Sequence, residues 1–467
     1  MKIKFIGAAR EVTGSKHLLT TDDGTKILLD CGMFQGKGLE TDAMNRNTMV
    51  EPADIDYIVL THAHIDHSGL IPYFYKRGFR GSVICTPATR ELCSIMLPDS
   101  GFIQENDVRW FNKKRSRQGM KPVEPIYTEK DARACMELFI TTEVNRRFYI
   151  NKNISVKFYN TGHMLGSSCA TIRLDYNGKV TTIGYTGDIG RDSNYLLKPP
   201  TALHQCDYII TESTYGDRLH KDKQGAEDEL YRIIQHTCVE KKGKLIIPSF
   251  AIGRTQEIVF QLNNFYNENK LPHIPVYVDS PLAVNATSIF KMHLDLFNRD
   301  VAEVLEYDDD PFGFNSLIYV TDVNKSKALN AYKGPCIIIS ASGMMEAGRV
   351  KHHLANNIDN EKNSVLVVGY CAPTTLGARI ANGDKDVSIF GVPHRVNADV
   401  YSIDAFSGHG DYKEMSDYLK CQNPERVKKV FVVHGEYKTQ QFYANFLAQN
   451  NGFKDIVIPE PGEVFEL

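Results

Sequence analysis

Between Thr61 and Gly69 the chain reads Thr-His-Ala-His-Ile-Asp-His-Ser-Gly, with imidazoles at His62, His64 and His67 and a carboxylate at Asp66. Imidazole and carboxylate donors together suit zinc, and alternate residues at a strand's end can converge on one ion. A fourth donor does not fit the same tetrahedron easily, so the spacing asks for two ions side by side. A weaker version of the pattern recurs at Asp30, His163, Asp188, Glu212, His409 and His434, each at or just past the end of an apolar run and beside a small residue. Ligand sites in α/β folds gather at the carboxyl ends of strands, which makes these positions candidates for one shared site. Taken alone, Asp30 reads more readily as a turn cap, while for His409 a satisfied core histidine is the lesser alternative.

The elements that must position these groups are legible as apolar runs. Tyr57–Leu60 reads as a buried strand before the histidine cluster. Residues 1–30 read as a hairpin meander turning at Asp22-Asp23-Gly24, and Leu70–Gly78 as a helix closed by glycine. Strands are expected at Ser155–Tyr159, Thr181–Thr186, Tyr208–Ile210, Val400–Ile403 and Val430–Val433. Residues 98–150 read as less regular and strongly charged. Within them Arg109-Trp110-Phe111-Asn112-Lys113-Lys114-Arg115-Ser116-Arg117 is either a solvated helix end or a segment contacting phosphates and stacking a base.

From Asp217 to about residue 395 the pattern changes. Continuous apolar strands at Lys244–Pro248, Val276–Val278, Cys336–Ile339 and Val365–Val368 alternate with helices, the mark of a parallel sheet covered on both faces. Metal-type residues lie both before and after this block, so it reads as an insertion. The expected organisation is a metal-binding domain in residues 1–215 and 396–467, with an inserted α/β domain at 216–395.

The bulk numbers bound the rest. With 467 residues, 42% hydrophobic and 24% charged, the chain has the composition of a globular protein with ample core. A formal net charge of −3 gives no global basic field, although a local groove can still be basic. Ten cysteines occur without a C-x-x-C pair, which suits free thiols of a reducing compartment. No signal-type apolar block or membrane-length run is seen, so a cytoplasmic protein without a membrane partner is expected.

These residues resemble the metallo-β-lactamase superfamily and, within it, the β-CASP nucleases. Asp30, the His62-x-His64-x-Asp66-His67 run, His163 and Asp188 stand where the superfamily's first four motifs stand. Glu212, His409 and His434 match the three further positions of β-CASP proteins. The inserted block carries similar local signatures at Pro248–Arg254, Asp279-Ser280-Pro281 and Ser342-Gly343-Met344. One departure is the stretch Gly369–Arg379, where the family's arginine is displaced by one position. The chain opens directly on the catalytic fold and ends shortly after His434, so neither an RNA-binding KH pair nor a long C-terminal oligomerisation domain is expected within it.

The resemblance implies an α/β fold, a metallo-β-lactamase αββα sandwich with an inserted parallel-sheet β-CASP domain. It implies two zinc ions, one on His62, His64 and His163, the other on Asp66, His67 and His434, with Asp188 bridging. Asp66 and Asp30 then also serve catalysis, Asp30 by holding a histidine N–H rather than as a ligand. His409, oriented by Glu212, would protonate the departing 3′-oxygen. The implied activity is endonucleolytic hydrolysis of single-stranded RNA to 5′-phosphate and 3′-hydroxyl ends by a metal-bridging hydroxide, with a further 5′-exonuclease mode left open. Ser407 and Gly408 would hydrogen-bond a phosphate, and Arg254, Arg349, Lys351 and Arg379 would line the strand's path. A DNA nuclease, a small-molecule metallo-hydrolase and an inactive RNA-binding scaffold stay open, as does assembly as a homodimer or with a processing-complex partner.

Overall fold

The computed structural model describes residues 1–36, 39–220, 223–369, 371, 374–403 and 406–467, with Leu39 described by its backbone alone. The chain divides into two compact units. One comprises Met1–Asp192, Pro199–Leu219 and His409–Leu467; the other comprises Ser193–Lys198 and His220–Gly408.

Among the described residues, the first unit holds two seven-stranded sheets. One runs Val464–Glu466, Lys2–Gly7, Lys16–Thr20, Lys26–Leu29, Tyr57–Val59, Ser82–Cys85, Phe139–Thr141. The other runs Ile456–Val457, Lys429–Val432, Tyr208–Thr211, Lys179–Tyr185, Ser168–Tyr176, Ile154–Asn160, Arg147–Tyr149. In each, an antiparallel half made by short hairpins continues into a parallel half. Parallel neighbours require crossovers, and the helices Ile71–Lys76 and Pro87–Arg117 lie in the two that lead to Ser82–Cys85 and Phe139–Thr141.

Alternation along the strands sends one face of each sheet inward. Ile3, Phe5, Leu29, Val59 and Ile84 from the first meet Val156, Phe158, Ile172, Ile183 and Phe431 from the second in one buried cluster. Each such side chain contributes roughly 1.5–3 kcal/mol by leaving water. The outer face of the second sheet, with Ile209, Val430 and Val432, is covered by Met415 and Leu419 of the helix Tyr412–Leu419 and by Tyr443 and Leu447 of the helix Tyr437–Asn450.

The second unit is built on an all-parallel sheet in the order Leu317–Tyr319, Val276–Val278, Cys336–Ser340, Lys244–Pro248, Ser364–Val368, Asp399–Ile403. Its central strands are buried throughout, as the continuous apolar runs require. It has two strands beyond the four expected. Leu317–Tyr319 is three residues long and only half-buried, so it offers no apolar run to read. Asp399–Ile403 pairs with Ser364–Val368 beyond residue 395, so the strand preceding His409 belongs to this sheet.

The segment expected to be irregular from residue 98 is instead part of a single 31-residue helix, Pro87–Arg117. Thr86 caps it by accepting the Thr89 N–H, and Pro87 occupies its first turn. Pro98 removes one internal hydrogen bond but is itself buried, so packing outweighs the local propensity that argued for a break. No described helix is long and apolar enough to cross a membrane.

Candidate metal centre

The donors arrive from strand ends of the first unit. Asp30 follows Lys26–Leu29, His62 follows Tyr57–Val59, and His163 follows Ile154–Asn160. Asp188 follows Lys179–Tyr185, Glu212 follows Tyr208–Thr211, and His434 follows Lys429–Val432. Two of these residues are held in the left-handed backbone region, Asp30 at φ 56° and His434 at φ 54°. That conformation costs roughly 1–2 kcal/mol for a residue with a Cβ and persists where the surroundings over-determine it. At Gly187, φ 53°, a side chain would come within 2.7 Å of the Thr61 Cβ, so only glycine admits this turn beside the histidine cluster.

Two groups of donors form. His62, His64, His163 and Asp188 have ligand atoms within 4.8 Å of one another, and so do Asp66, His67 and His434. Asp188 stands between them. Its Oδ2 is 3.4 Å from His62 Nε2 and 3.4 Å from His163 Nε2, while its Oδ1 is 3.3 Å from His67 Nε2 and 3.9 Å from His434 Nε2. The sequence-read positions for two ions and a shared carboxylate thus come together in one place.

The hydrogen-bond network assigns the tautomers. Asp30, fully buried, accepts from the Thr61 N–H and hydroxyl, from the Tyr185 hydroxyl at 2.7 Å and from His67 Nδ1 at 2.6 Å. Because the Thr61 hydroxyl donates to Asp30, its oxygen accepts from His62 Nδ1 at 3.1 Å. The Thr214 hydroxyl donates to the His434 carbonyl and accepts from His434 Nδ1 at 2.9 Å. In all three histidines Nδ1 is a donor, which turns each Nε2 toward Asp188.

This arrangement fits bound cations. His67 Nε2 and His434 Nε2 lie 3.0 Å apart, a distance that requires a cation, either a proton or a metal ion, between the two rings. His163 Nε2 and His64 Nδ1 lie 3.1 Å apart. His62 Nε2 and Asp188 Oδ1 are buried with no hydrogen-bond partner. Among the described residues every ion-pair partner of Asp30, Asp66, Asp188 and Glu212 is a histidine, so no lysine or arginine offsets their charge.

The electrostatics leave three of the imidazoles ready to ligate and one protonated. Burial pushes the His62 and His163 imidazoles down and takes His64 to about 3, leaving them neutral and able to ligate. Burial also opposes a charged His67, but the Asp188 and Asp30 carboxylates outweigh it and hold that imidazole well above its usual range, so a metal ion there would displace its Nε2 proton. Asp66 and Asp188 stay ionised because the surrounding imidazoles overcome the effect of burial.

His409 stands beside this cluster. Its Nδ1 is 3.2 and 3.1 Å from the two Glu212 oxygens, and its ring centroid is 4.4 Å from that of His163. Glu212 also falls within ligand distance of Asp188 and His434. Its oxygens, however, are engaged by the Ile189 N–H at 2.5 Å, the Thr214 N–H at 3.3 Å and His409. Those bonds suit a carboxylate that orients an imidazole. Burial draws the His409 pKa down, but Glu212 and then Asp188 raise it to about 9.

The substrate candidates are placed less tellingly. Ser407 is buried and Gly408 half-buried, immediately before His409 in the chain. In the second unit Arg254 pairs with Glu257, and Arg379 with Asp384. Arg349 binds Asp279 at 2.6 Å and the Val320 and Thr321 carbonyls. A phosphate at any of these would compete with a carboxylate already in place. Lys351 reaches the Glu346 carbonyl and lies over the Phe390 ring. Of the departing stretch, Tyr370, Ala372 and Pro373 lie outside the described residues.

Sequence reading missed Thr61, Tyr185 and Thr214, which set the tautomers. A threonine or tyrosine at a strand end carries no signal that separates it from ordinary turn or core residues.

Residues 14–98 match the Metallo-beta-lactamase superfamily, residues 255–380 the Beta-Casp domain, and residues 393–459 the Zn-dependent metallo-hydrolase RNA specificity domain. A ribonuclease of Thermus thermophilus is 33% identical over 437 residues, 93% of this chain and 93% of that one. The chain is a β-CASP member of the metallo-β-lactamase superfamily. The RNase J-like protein of Methanocaldococcus jannaschii is 34% identical to this β-CASP chain over 94% of each. Transcription termination factor FttA of the same organism is 31% identical over 93% of this chain and 67% of its own length. As a member of this family the β-CASP chain is a metal-dependent hydrolase of the nuclease class.

Proposed function

We propose that this β-CASP chain is a zinc-dependent ribonuclease that cleaves single-stranded RNA by attack of water on phosphorus, leaving 5′-phosphate and 3′-hydroxyl ends. His62, His64 and His163 would hold one ion, Asp66, His67 and His434 the other, and Asp188 both. Two zinc ions so held supply a water of lowered pKa and neutralise charge building on a phosphoryl oxygen. The family match to an RNA specificity domain and the ribonuclease among the relatives support RNA over DNA and over a small molecule.

The observation that carries the reading is the His409–Glu212 pair, adjacent to the seven donors but not needed to complete either group. An alkoxide is a poor leaving group, so the departing 3′-oxygen needs a proton. His409, fixed through Nδ1 by Glu212, presents Nε2 to supply it. Asp30 and Thr214 keep His67 and His434 in the tautomers that turn Nε2 inward. Ser407 and Gly408, next to His409 in the chain, would receive a phosphate oxygen through hydroxyl and backbone N–H. Cleavage would be endonucleolytic with a 5′-exonuclease mode, in the cytoplasm.

The test is incubation of the purified protein with end-labelled single-stranded RNA and DNA, with the products mapped. RNA should be cleaved internally to 5′-phosphate and 3′-hydroxyl ends, and a 2′-deoxy sugar at the cleaved position should be tolerated. A 2′,3′-cyclic phosphate product would make the RNA hydroxyl the nucleophile and overturn the mechanism.

A further inference from the structure

The helix Pro87–Arg117 is longer than its packing requires. Its buried residues end at Gly101, where a side chain would meet the Glu129 N at 2.7 Å. From Phe102 it continues to Arg117, roughly 24 Å at about 1.5 Å per residue. The returning chain braces this extension. Asn112 donates to the Val123 carbonyl and accepts the Val123 N–H, both at 2.9 Å, and Arg115 Nε donates to the Lys121 carbonyl. It is a built arm, not a fraying end.

Its outer surface carries Trp110, 71% exposed, with Arg109 beside it, Lys113 and Lys114 one turn on and Arg117 two turns on. Among the described residues Arg109, Lys113, Lys114 and Arg117 have neither an ion pair nor a side-chain hydrogen bond. Cations in the last turn suit the helix dipole, but that does not account for Arg109 or for an indole left in water. Cations flanking an exposed aromatic plane suit a polyanion that also offers flat rings.

We propose that this arm is a second contact for single-stranded RNA, with Trp110 stacking a base and Arg109, Lys113, Lys114 and Arg117 binding phosphates. It rests on the ribonuclease reading above. The other end of the helix abuts the loop that carries His163, since the Thr86 and Thr89 hydroxyls both donate to the Gly166 carbonyl. Trp110 lies twenty-three residues beyond Pro87, roughly 35 Å along the axis. The arm therefore serves long RNAs and not short ones, raising their affinity without touching the chemistry.

Trp110 is the sole tryptophan, so its emission reports the arm directly. The zinc-loaded full chain is mixed with an RNA of about thirty nucleotides or of about six, chosen to exceed or fall short of that ~35 Å span. The long RNA should quench the emission on binding and the short one should not. Lys113→Glu/Lys114→Glu/Arg117→Glu should raise KM for the long RNA at least tenfold, leave kcat and turnover of the short RNA unchanged, and reduce the log–log salt dependence by about 2, at ~0.7 per phosphate contact. Unchanged emission at saturating long RNA, or an unchanged KM, overturns the proposal. Equal quenching by polyglutamate also overturns it and assigns the arm to an acidic protein. Should the wild-type chain cleave no RNA, the nuclease reading fails separately. The arm is then judged by quenching and by anisotropy of labelled long RNA, which the triple variant must weaken.

Discussion

His67 and His434, 367 residues apart in the chain, face each other through Nε2 atoms 3.0 Å apart. Each has its Nδ1 committed elsewhere, to Asp30 and to Thr214. Positive charge between them resolves the contact. His434→Ala should therefore weaken the ion shared with Asp66 and His67 while leaving the His62–His64–His163 group loaded. Elemental analysis after mild chelation checks this, with about one equivalent expected to remain.

Asp188 divides its two oxygens between the groups. Asp188→Ala should release more metal than either His163→Ala or His434→Ala, because it removes a donor from both groups at once. The comparison is of metal retained by the three variants under one chelator concentration.

Asp30 touches no ion in this account; it acts by holding His67. Asp30→Asn preserves the shape but loses the charge that fixes the ring, and should cost about 10–100-fold in metal affinity. Competition with a chromophoric chelator reads this directly. An unchanged affinity would reduce Asp30 to a turn cap.

His409 is oriented by Glu212 and is absent from both donor groups. His409→Ala should keep metal and RNA affinity and lose ~10²–10⁴-fold in rate. The deficit should shrink on p-nitrophenyl thymidine phosphate oriented to expel nitrophenolate, which needs no proton. Loss of metal, or equal impairment on both substrates, would remove the acid assignment.

The extent to which the sequence foretells this structure follows from physics. The histidine cluster and the other donors were legible because ligating side chains at strand ends are a local pattern. The central strands of the second unit were legible because burial on both faces demands unbroken apolar runs. Leu317–Tyr319, the helix through Pro98 and the place of the expected strand Val400–Ile403 in the second sheet were not, because they depend on neighbours distant in sequence. The hydroxyls of Thr61 and Thr214 were silent for the same reason, since their roles exist only once the chain has folded.

Arg349 illustrates the remaining gap. In sequence it suggests a phosphate contact; in the structure it pairs with fully buried Asp279, which also accepts from His353 and Ser326. Asp279→Ala leaves buried charge uncompensated and should destabilise the second unit by about 3–5 kcal/mol. Urea unfolding followed by circular dichroism measures it, with metal content in the native protein unchanged.

The central claim is a site for two ions built from seven donors. Its most direct test is zinc stoichiometry of protein purified without chelator, titrated against activity. Activity on RNA should saturate at two equivalents per chain. Full activity at one equivalent, with no further gain on adding zinc, would contradict it.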